Sequence, residues 1–240
     1  MQPAPIKAVL FDLDDTLWPI VPTIIRAETL LFDWLRAHAP AVTQEHTIET
    51  LRARRMALME AEPRYRIDLP GLRHAGLTEA FHASGADPVH IDGAMTVFND
   101  ARNAVIPYDD VLPSLARLGS QLALGTISNG SADLEAIGMA GHFRISIAAH
   151  QFGSAKPDPA IFLAACTALD VDPAEAVYVG DDPLLDVDGA QKAGLRAVWM
   201  NRFDRVLPAH IRPDASCTSL LELEHWLADR IVLASPASAR

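Results

Sequence analysis

The chain predicts a doubly wound α/β fold: a Rossmann-like parallel sheet core, flanked by helices, with an all-helical domain inserted behind its first strand. Three observations carry this expectation. Residues 6–10 (IKAVL) form a short apolar run of the kind that becomes a buried parallel strand. From Pro107 onward, short apolar runs alternate with helical patterns, the order expected of a parallel sheet covered on both faces. Between the two, helical periodicity runs without a convincing strand. The expected division is a sheet domain of residues 1–17 and 106–240 and a helical domain of residues 18–105.

Within the insertion, residues 21–38 place Ile24, Leu31 and Leu35 on one helical face, and Pro40 ends that helix. A second helix is expected over 44–61, capped near Thr43, Glu45 and His46 and stopped before Pro63. Weaker helices are expected over 72–83 and 88–103, punctuated by Gly85 and Asp87. The sheet domain then reads as helix 111–118, strand 121–127, helix 132–137, strand 145–149 and helix 159–169. Strand 176–179, helix 184–193, strand 196–200 and a closing helix over 219–231 complete it. No internal repeat or low-complexity segment interrupts the pattern.

Composition narrows the class. At 240 residues with 50% hydrophobic and 21% charged side chains, the chain is long enough to bury a core and reads as soluble and globular. Twenty Lys and Arg against 31 Asp and Glu give a formal charge of −11, which argues against a nucleic-acid or anionic-membrane binder. Only Cys166 and Cys217 occur, so neither a disulfide framework nor a thiolate zinc site is expected. The MQPAPIK start lacks the regions of a signal peptide, and no run approaches the ~20 apolar residues of a membrane span. The expectation is a cytoplasmic protein whose last residues, VLASPASAR, fray.

The stretch FDLDDTLW, residues 11–18, places three carboxylates and a threonine at the carboxyl end of the first strand. Alternation along an extended chain points Asp12 and Asp14 the same way and Asp15 the other. Two carboxylates sharing a crevice repel, and the repulsion is relieved by a proton or a cation. One reading makes Asp12 a nucleophile and Asp14 a general acid and base beside a hard metal such as Mg²⁺. An acidic turn accounts for D-x-D alone equally well.

Ligands in open parallel sheets bind beyond the carboxyl ends of the strands, so the residues just behind each strand decide between the two. Behind 121–127 come Ser128, Asn129 and Gly130, either an anion site at a helix amino terminus or an ordinary capping turn. Behind 145–149 lies GSAKPDP, whose Lys156 is one of only three lysines, either a charge for a phosphate and a carboxylate or an exposed loop residue. Behind 176–179 lies GDDPLLD, in which Asp181, Asp182 and Asp186 form a second acidic cluster able to complete a metal site.

In order and in context, these four strand ends resemble the signature motifs of the haloacid dehalogenase-like hydrolase superfamily. The matches are D-x-D-x-T at Asp12, Asp14 and Thr16, then Ser128, Lys156, and G-D-x-x-x-x-D at Asp181 and Asp186. The insertion resembles the helical cap of subfamily I, the group of phosphoglycolate phosphatase-like enzymes. The resemblance implies a Mg²⁺-dependent phosphatase for a small phosphorylated metabolite, working as a monomer or homodimer. Asp12 then attacks phosphorus, and Asp14 protonates the leaving oxygen and activates water. The Asp12 carboxylate, the Asp14 carbonyl and Asp181 hold Mg²⁺, while Thr16, Ser128, Asn129, Gly130 and Lys156 serve the phosphoryl group. Asp186 orients Lys156 or a metal-bound water, and Asp182 acts through water or stays an exposed acid.

Alternatives separate at single positions. Haloacid dehalogenases of the superfamily lack the second acid of D-x-D, so Asp14 argues against that chemistry. Phosphonate-cleaving relatives need a cap lysine, and the insertion has none. Sugar-phosphate mutases keep all four motifs and stay open, and a catalytically silent binding protein would be expected to have lost one. There is no G-x-x-x-x-G-K-[ST] loop, and GTISNG misses the G-x-S-x-G elbow. Specificity is expected in the insertion. There Arg52, Arg54, Arg55, Arg64, Tyr65 and Arg66, the last three just before a Pro70-Gly71 turn, either reach an anionic substrate tail or form a solvated face. The five histidines show no metal spacing, and Met56 and Met59 read as core packing.

Overall fold

The computed structural model describes residues 4–231, so the expected fraying of 232–240 lies outside the described residues. The strands are β1 (Ala8–Phe11), β2 (Ala123–Ser128), β3 (Ile145–Ala148), β4 (Ala176–Gly180), β5 (Arg196–Met200) and β6 (Ala215–Cys217). Every residue of β1, β2 and β4 is buried, as predominantly apolar runs in the middle of a parallel sheet must be. All neighbours pair in parallel, in the spatial order β3-β2-β1-β4-β5-β6. The chain steps outward from β1 to β3, returns to pair β4 with the other edge of β1, then steps outward again. That reversal leaves a crevice beyond the carboxyl ends of β1 and β4.

The chain divides into two compact units. Among the described residues, the first comprises residues 4–19, 106–130 and 138–231, and the second residues 20–105 and 131–137. The second is helical: α1 (Ile20–His38), α2 (Pro40–Glu45), α3 (Ile48–Ala61), α4 (Leu69–Ser84), α5 (Ile91–Asn103) and, after α6 (Val111–Gly119) of the sheet unit, α7 (Leu134–Ile137). Its core is built on Ala27, Leu31 and Leu35 of α1 with Leu77 and Phe81 of α4 and Ala94 and Phe98 of α5. The sheet unit continues with α8 (Ala149–Phe152), α9 (Pro159–Ala168), α10 (Gly189–Lys192) and α11 (Leu220–Leu227). Of these, α6 packs with α11, and α9 with α10. No helix among the described residues is long and apolar enough to cross a membrane.

Several boundaries differ from the sequence expectation for physical reasons. The helix expected over 44–61 is two helices, because Thr47 caps α3: its hydroxyl accepts from the Thr50 amide, and the Thr50 hydroxyl accepts from the Thr47 amide. Pro40 does not merely end α1; it opens α2, where a missing N–H costs nothing. Pro70 and Gly71 are not a free turn but the first turn of α4, capped by Asp68, whose Oδ1 accepts from the Gly71 amide at 2.8 Å. A Cβ at 71 would fall 2.0 Å from Asp68 Oδ2, so only glycine allows this cap.

The region expected as one helix over 184–193 begins as a π-helical turn, Pro183–Asp188, before α10. The strand expected to end at 149 ends at Ala148, the closing helix stops at Leu227, and β6 adds an edge strand the sequence did not reveal. Met56 is 50% exposed rather than a core residue. The arginines of α3 are drawn to acids of the same unit: Arg52 and Arg55 both pair with the buried Glu28, and Arg54 approaches Glu79 at 3.7 Å.

Candidate active site

Directly after β1 the backbone tightens. The Asp15 amide donates to Trp18 O, the Leu17 amide donates to Leu13 O, and Asp15 adopts the left-handed conformation at φ 61°. The expected alternation therefore fails at this point, and Asp15 lines the same crevice as Asp12 and Asp14. The Trp18 indole N–H donates to Asp14 Oδ1 at 2.8 Å and sets the orientation of that carboxylate. Trp18 is fully buried, so this anchor does not move with solvent.

Four strand ends supply one crevice of about 200 Å³. It is lined by Asp12, Asp14, Asp15, Ser128, Asn129, Gly130, Lys156, Asp181, Asp182, Leu185 and Asp186. Every residue singled out from the four strand-end motifs is there except Thr16. Thr16 is fully buried, its hydroxyl has no hydrogen-bond partner, and its carbonyl accepts from Arg202 Nε at 2.8 Å. Its place is under the β1 loop rather than on the crevice wall.

Lys156 is the hub. Its ammonium donates to Asp12 Oδ1 at 2.5 Å, to Asp186 Oδ1 at 2.7 Å and to Tyr178 Oη at 2.8 Å. All three protons are thereby committed to protein acceptors. Burial alone would lower its pKa, but the carboxylates of Asp12 and Asp186 dominate together and hold the ammonium well above the ordinary lysine range. Its backbone is clamped as well: the Asn129 side chain donates to Lys156 O at 3.0 Å and accepts from the Lys156 amide at 2.9 Å. The side chain of Asn129 is thus spent on positioning Lys156.

Ser128 ends β2, and its hydroxyl accepts from the Gly130 amide at 2.9 Å, which leaves its own proton for a ligand. The helix expected over 132–137 is present but starts later and is short. The next helix, α7, starts at Leu134, has four residues and belongs to the helical unit. An anion placed at this strand end would meet the Ser128 hydroxyl rather than the end of a long helix.

At the end of β4, Gly180 permits the acidic cluster to fold back on itself, since a Cβ there would lie 2.2 Å from Asp186 Oδ2. Asp186 is 1% exposed, and its second oxygen accepts from the Asp182 amide at 2.9 Å, so both oxygens are occupied. Asp182 caps the π-helical turn, accepting from the amides of Leu184 and Leu185 at 2.8 and 2.9 Å. Asp181 receives Arg205 Nη1 at 3.0 Å on Oδ2, while the Trp199 indole donates to its carbonyl at 2.9 Å.

Asp12, Asp181 and Asp186 each offer an oxygen within 4.8 Å of the others. Hard oxygen donors at this spacing fit Mg²⁺. Because Asp186 is already doubly bonded while Lys156 takes only Oδ1 of Asp12, Asp12 and Asp181 are the better ligands of the three.

The electrostatics of Asp181 give an expectation for stability. Burial, reinforced by the nearby Asp186 charge and partly offset by Arg205, pushes its pKa up to about 7. The folded protein then binds a proton the unfolded chain has released between pH ~4 and ~7, so this group's contribution to stability falls as pH rises through that window. At about 1.4 kcal/mol per unit the upper bound is about 4 kcal/mol. Thermal melts in chelator between pH 5 and 8 should show that decline, and Asp181→Asn should flatten it. A slope unchanged in Asp181→Asn would remove Asp181 as its source.

Residues 6–194 match the family model described as haloacid dehalogenase-like hydrolase. The chain is 30% identical over 230 residues to a 5-amino-6-(5-phospho-D-ribitylamino)uracil phosphatase of Escherichia coli, covering 90% of this chain and 96% of that one. It is 33% identical over 204 residues to a glyceraldehyde 3-phosphate phosphatase of Methanopyrus kandleri, covering 82% and 84%. Among solved structures, one described as a 2-haloacid dehalogenase from Pseudomonas syringae pv. Tomato superposes with a TM-score of 0.87 at 38% identity, covering 93% of this chain and 99% of that one.

Proposed function

Because the chain belongs to the haloacid dehalogenase-like hydrolase family and curated relatives matched over most of its length are named as phosphatases, we propose that it hydrolyses a small phosphate monoester through an aspartyl-phosphate on Asp12, with Mg²⁺ bound. The observation that carries this reading is the second acid: Asp14, oriented by Trp18, shares one crevice with Asp12. A nucleophilic carboxylate alone serves attack on carbon or phosphorus. A neighbouring acid is what an alkoxide leaving group requires.

In this reading an Asp12 oxygen attacks phosphorus in line with the ester oxygen. The new O–P bond forms as the ester P–O bond breaks, and Asp14 gives its proton to the departing oxygen. Asp14, now a carboxylate, takes a proton from water. The resulting hydroxide attacks phosphorus, breaks the Asp12 O–P bond and releases orthophosphate. Lys156 contributes charge and the orientation of Asp12, because its three protons are already bonded within the protein. The Ser128 hydroxyl, whose oxygen is held by the Gly130 amide, donates its proton to a phosphoryl oxygen. Asp12, Asp181 and the Asp14 carbonyl would hold Mg²⁺, which supplies Lewis-acid stabilisation of phosphoryl charge.

The test is release of orthophosphate from a panel of small phosphate esters, with and without Mg²⁺, run beside release of halide from 2-haloacids. Metal-dependent phosphate release without halide release is expected. Metal-independent halide release with no phosphate would instead favour the chemistry named for the Pseudomonas syringae structure.

A further inference from the structure

The third acceptor on the Lys156 ammonium is a hydroxyl in the middle of β4, that of Tyr178, and it is fully buried. The direction of its bonds is determined. Tyr178 donates its only proton to the carbonyl of Ile127 at 2.8 Å, so it must turn a lone pair toward Lys156. Its ring is held edge-on by Phe162, with centroids 5.0 Å apart and planes 82° apart. The hydroxyl is therefore a fixed point, anchored independently of both carboxylates.

Three fixed acceptors do what two do not. With Asp12 and Asp186 alone, the ammonium nitrogen keeps its distances while swinging on an arc about the line joining their oxygens. A third acceptor off that line removes the arc. Ile127 also immediately precedes Ser128 on β2, so the same hydroxyl ties the lysine to the strand end that carries the serine. One atom thus joins these elements: β4 carries the hydroxyl, β2 accepts its proton, and Lys156 reaches it while bonded to Asp12.

We infer that the Tyr178 hydroxyl is a positioning group for the reaction: it pins Lys156 against Asp12 and holds that pair in register with Ser128. The part of this that concerns turnover rests on Asp12 being the nucleophile. The pin itself does not, and the test separates the two.

The chain contains only Lys7, Lys156 and Lys192, so ¹⁵N-lysine labelling gives three side-chain ammonium groups. The side chains of Lys7 and Lys192 are 55% and 63% exposed, against 3% for Lys156. In the wild-type protein one ammonium resonance, absent from Lys156→Met, is expected to exchange its protons with water far more slowly than the other two. Wild-type Lys156 exchanging as fast as Lys7 and Lys192 would overturn the pin without any need of a tyrosine variant.

Tyr178→Phe keeps the ring and removes the hydroxyl. It is expected to speed that exchange by about tenfold and to lower kcat by about tenfold while KM stays within about threefold. A lowered melting temperature with exchange and kcat both unchanged would mean that Tyr178 only packs, and would overturn the inference. Accelerated exchange in a protein whose wild-type form turns over no phosphate ester would support the pin and overturn the functional reading.

Discussion

Asp12→Asn is expected to lower phosphate release by about 10⁴-fold or more, the scale seen when the nucleophile of a covalent mechanism is removed. The amide keeps an oxygen to accept from Lys156 but has no carboxylate to form the O–P bond. Folding should survive. In the wild-type site two buried carboxylates, Asp12 and Asp186, face one ammonium. Removing the Asp12 charge leaves one of each, and burial already raises the Asp12 pKa despite the opposing pull of Lys156. The variant should therefore melt at or slightly above the wild-type temperature in chelator. Activity retained within about tenfold would remove Asp12 as nucleophile, and a large drop in melting temperature would contradict the charge balance.

Lys156→Met should have the opposite signature. It removes the one ammonium between Asp12 and Asp186, both nearly excluded from water, and leaves like charges facing each other. Breaking a buried ion pair by deleting one partner costs about 3–5 kcal/mol, which in a chain of this size corresponds to a fall of about 10 °C in melting temperature. The loss should shrink as pH is lowered, because protonating either carboxylate relieves the repulsion, and Asp186→Asn added to Lys156→Met should recover part of it. Turnover should fall as well, since Asp12 loses the contact that orients it. A destabilisation below about 1 kcal/mol, independent of pH, would show that Lys156 is not the counter-ion the geometry makes it.

The sequence and the structure part company at identifiable residues. Strands β1, β2, β4 and β5 were legible because each is a predominantly apolar run that is almost wholly buried, and the partly buried β3 because its Ile145 and Ile147 alternate with Ser146. β6 was not, because Ala215, Ser216 and Cys217 are small and its pairing with β5 decides the matter. Thr47 was passed over as a cap because its partner is Thr50, not the Glu or Gln that marks the usual box. At the site, the strand ends announced themselves through charged or polar residues at the right positions. Asp15 did not, since its direction depends on a left-handed turn rather than on strand alternation.

Tyr178, Trp18 and Arg205 were invisible for another reason. A tyrosine within AVYVG and a tryptophan after a leucine look like core, and only the fold brings the first to Lys156 and the second to Asp14. Arg205 sits 24 residues beyond Asp181 in a loop with no motif, and it reaches Asp181 because β5 lies beside β4. Asn129 was legible as a site residue but not in its role, because a side chain clamped to a distant backbone leaves no local sequence signal.

The most direct measurement is capture of the covalent intermediate in Asp14→Asn with an activated aryl phosphate. Such an ester departs without protonation, so Asp12 can still be phosphorylated, while the variant lacks the base that activates water for the second step. One equivalent of aryl alcohol should be released in a burst. Peptide mass spectrometry after an acid quench should then find a phosphoryl group on Asp12 and on no other residue. A burst without modification of Asp12, or a phosphoryl group on a different side chain, would contradict the aspartyl-phosphate on Asp12 and with it the mechanism drawn from this site.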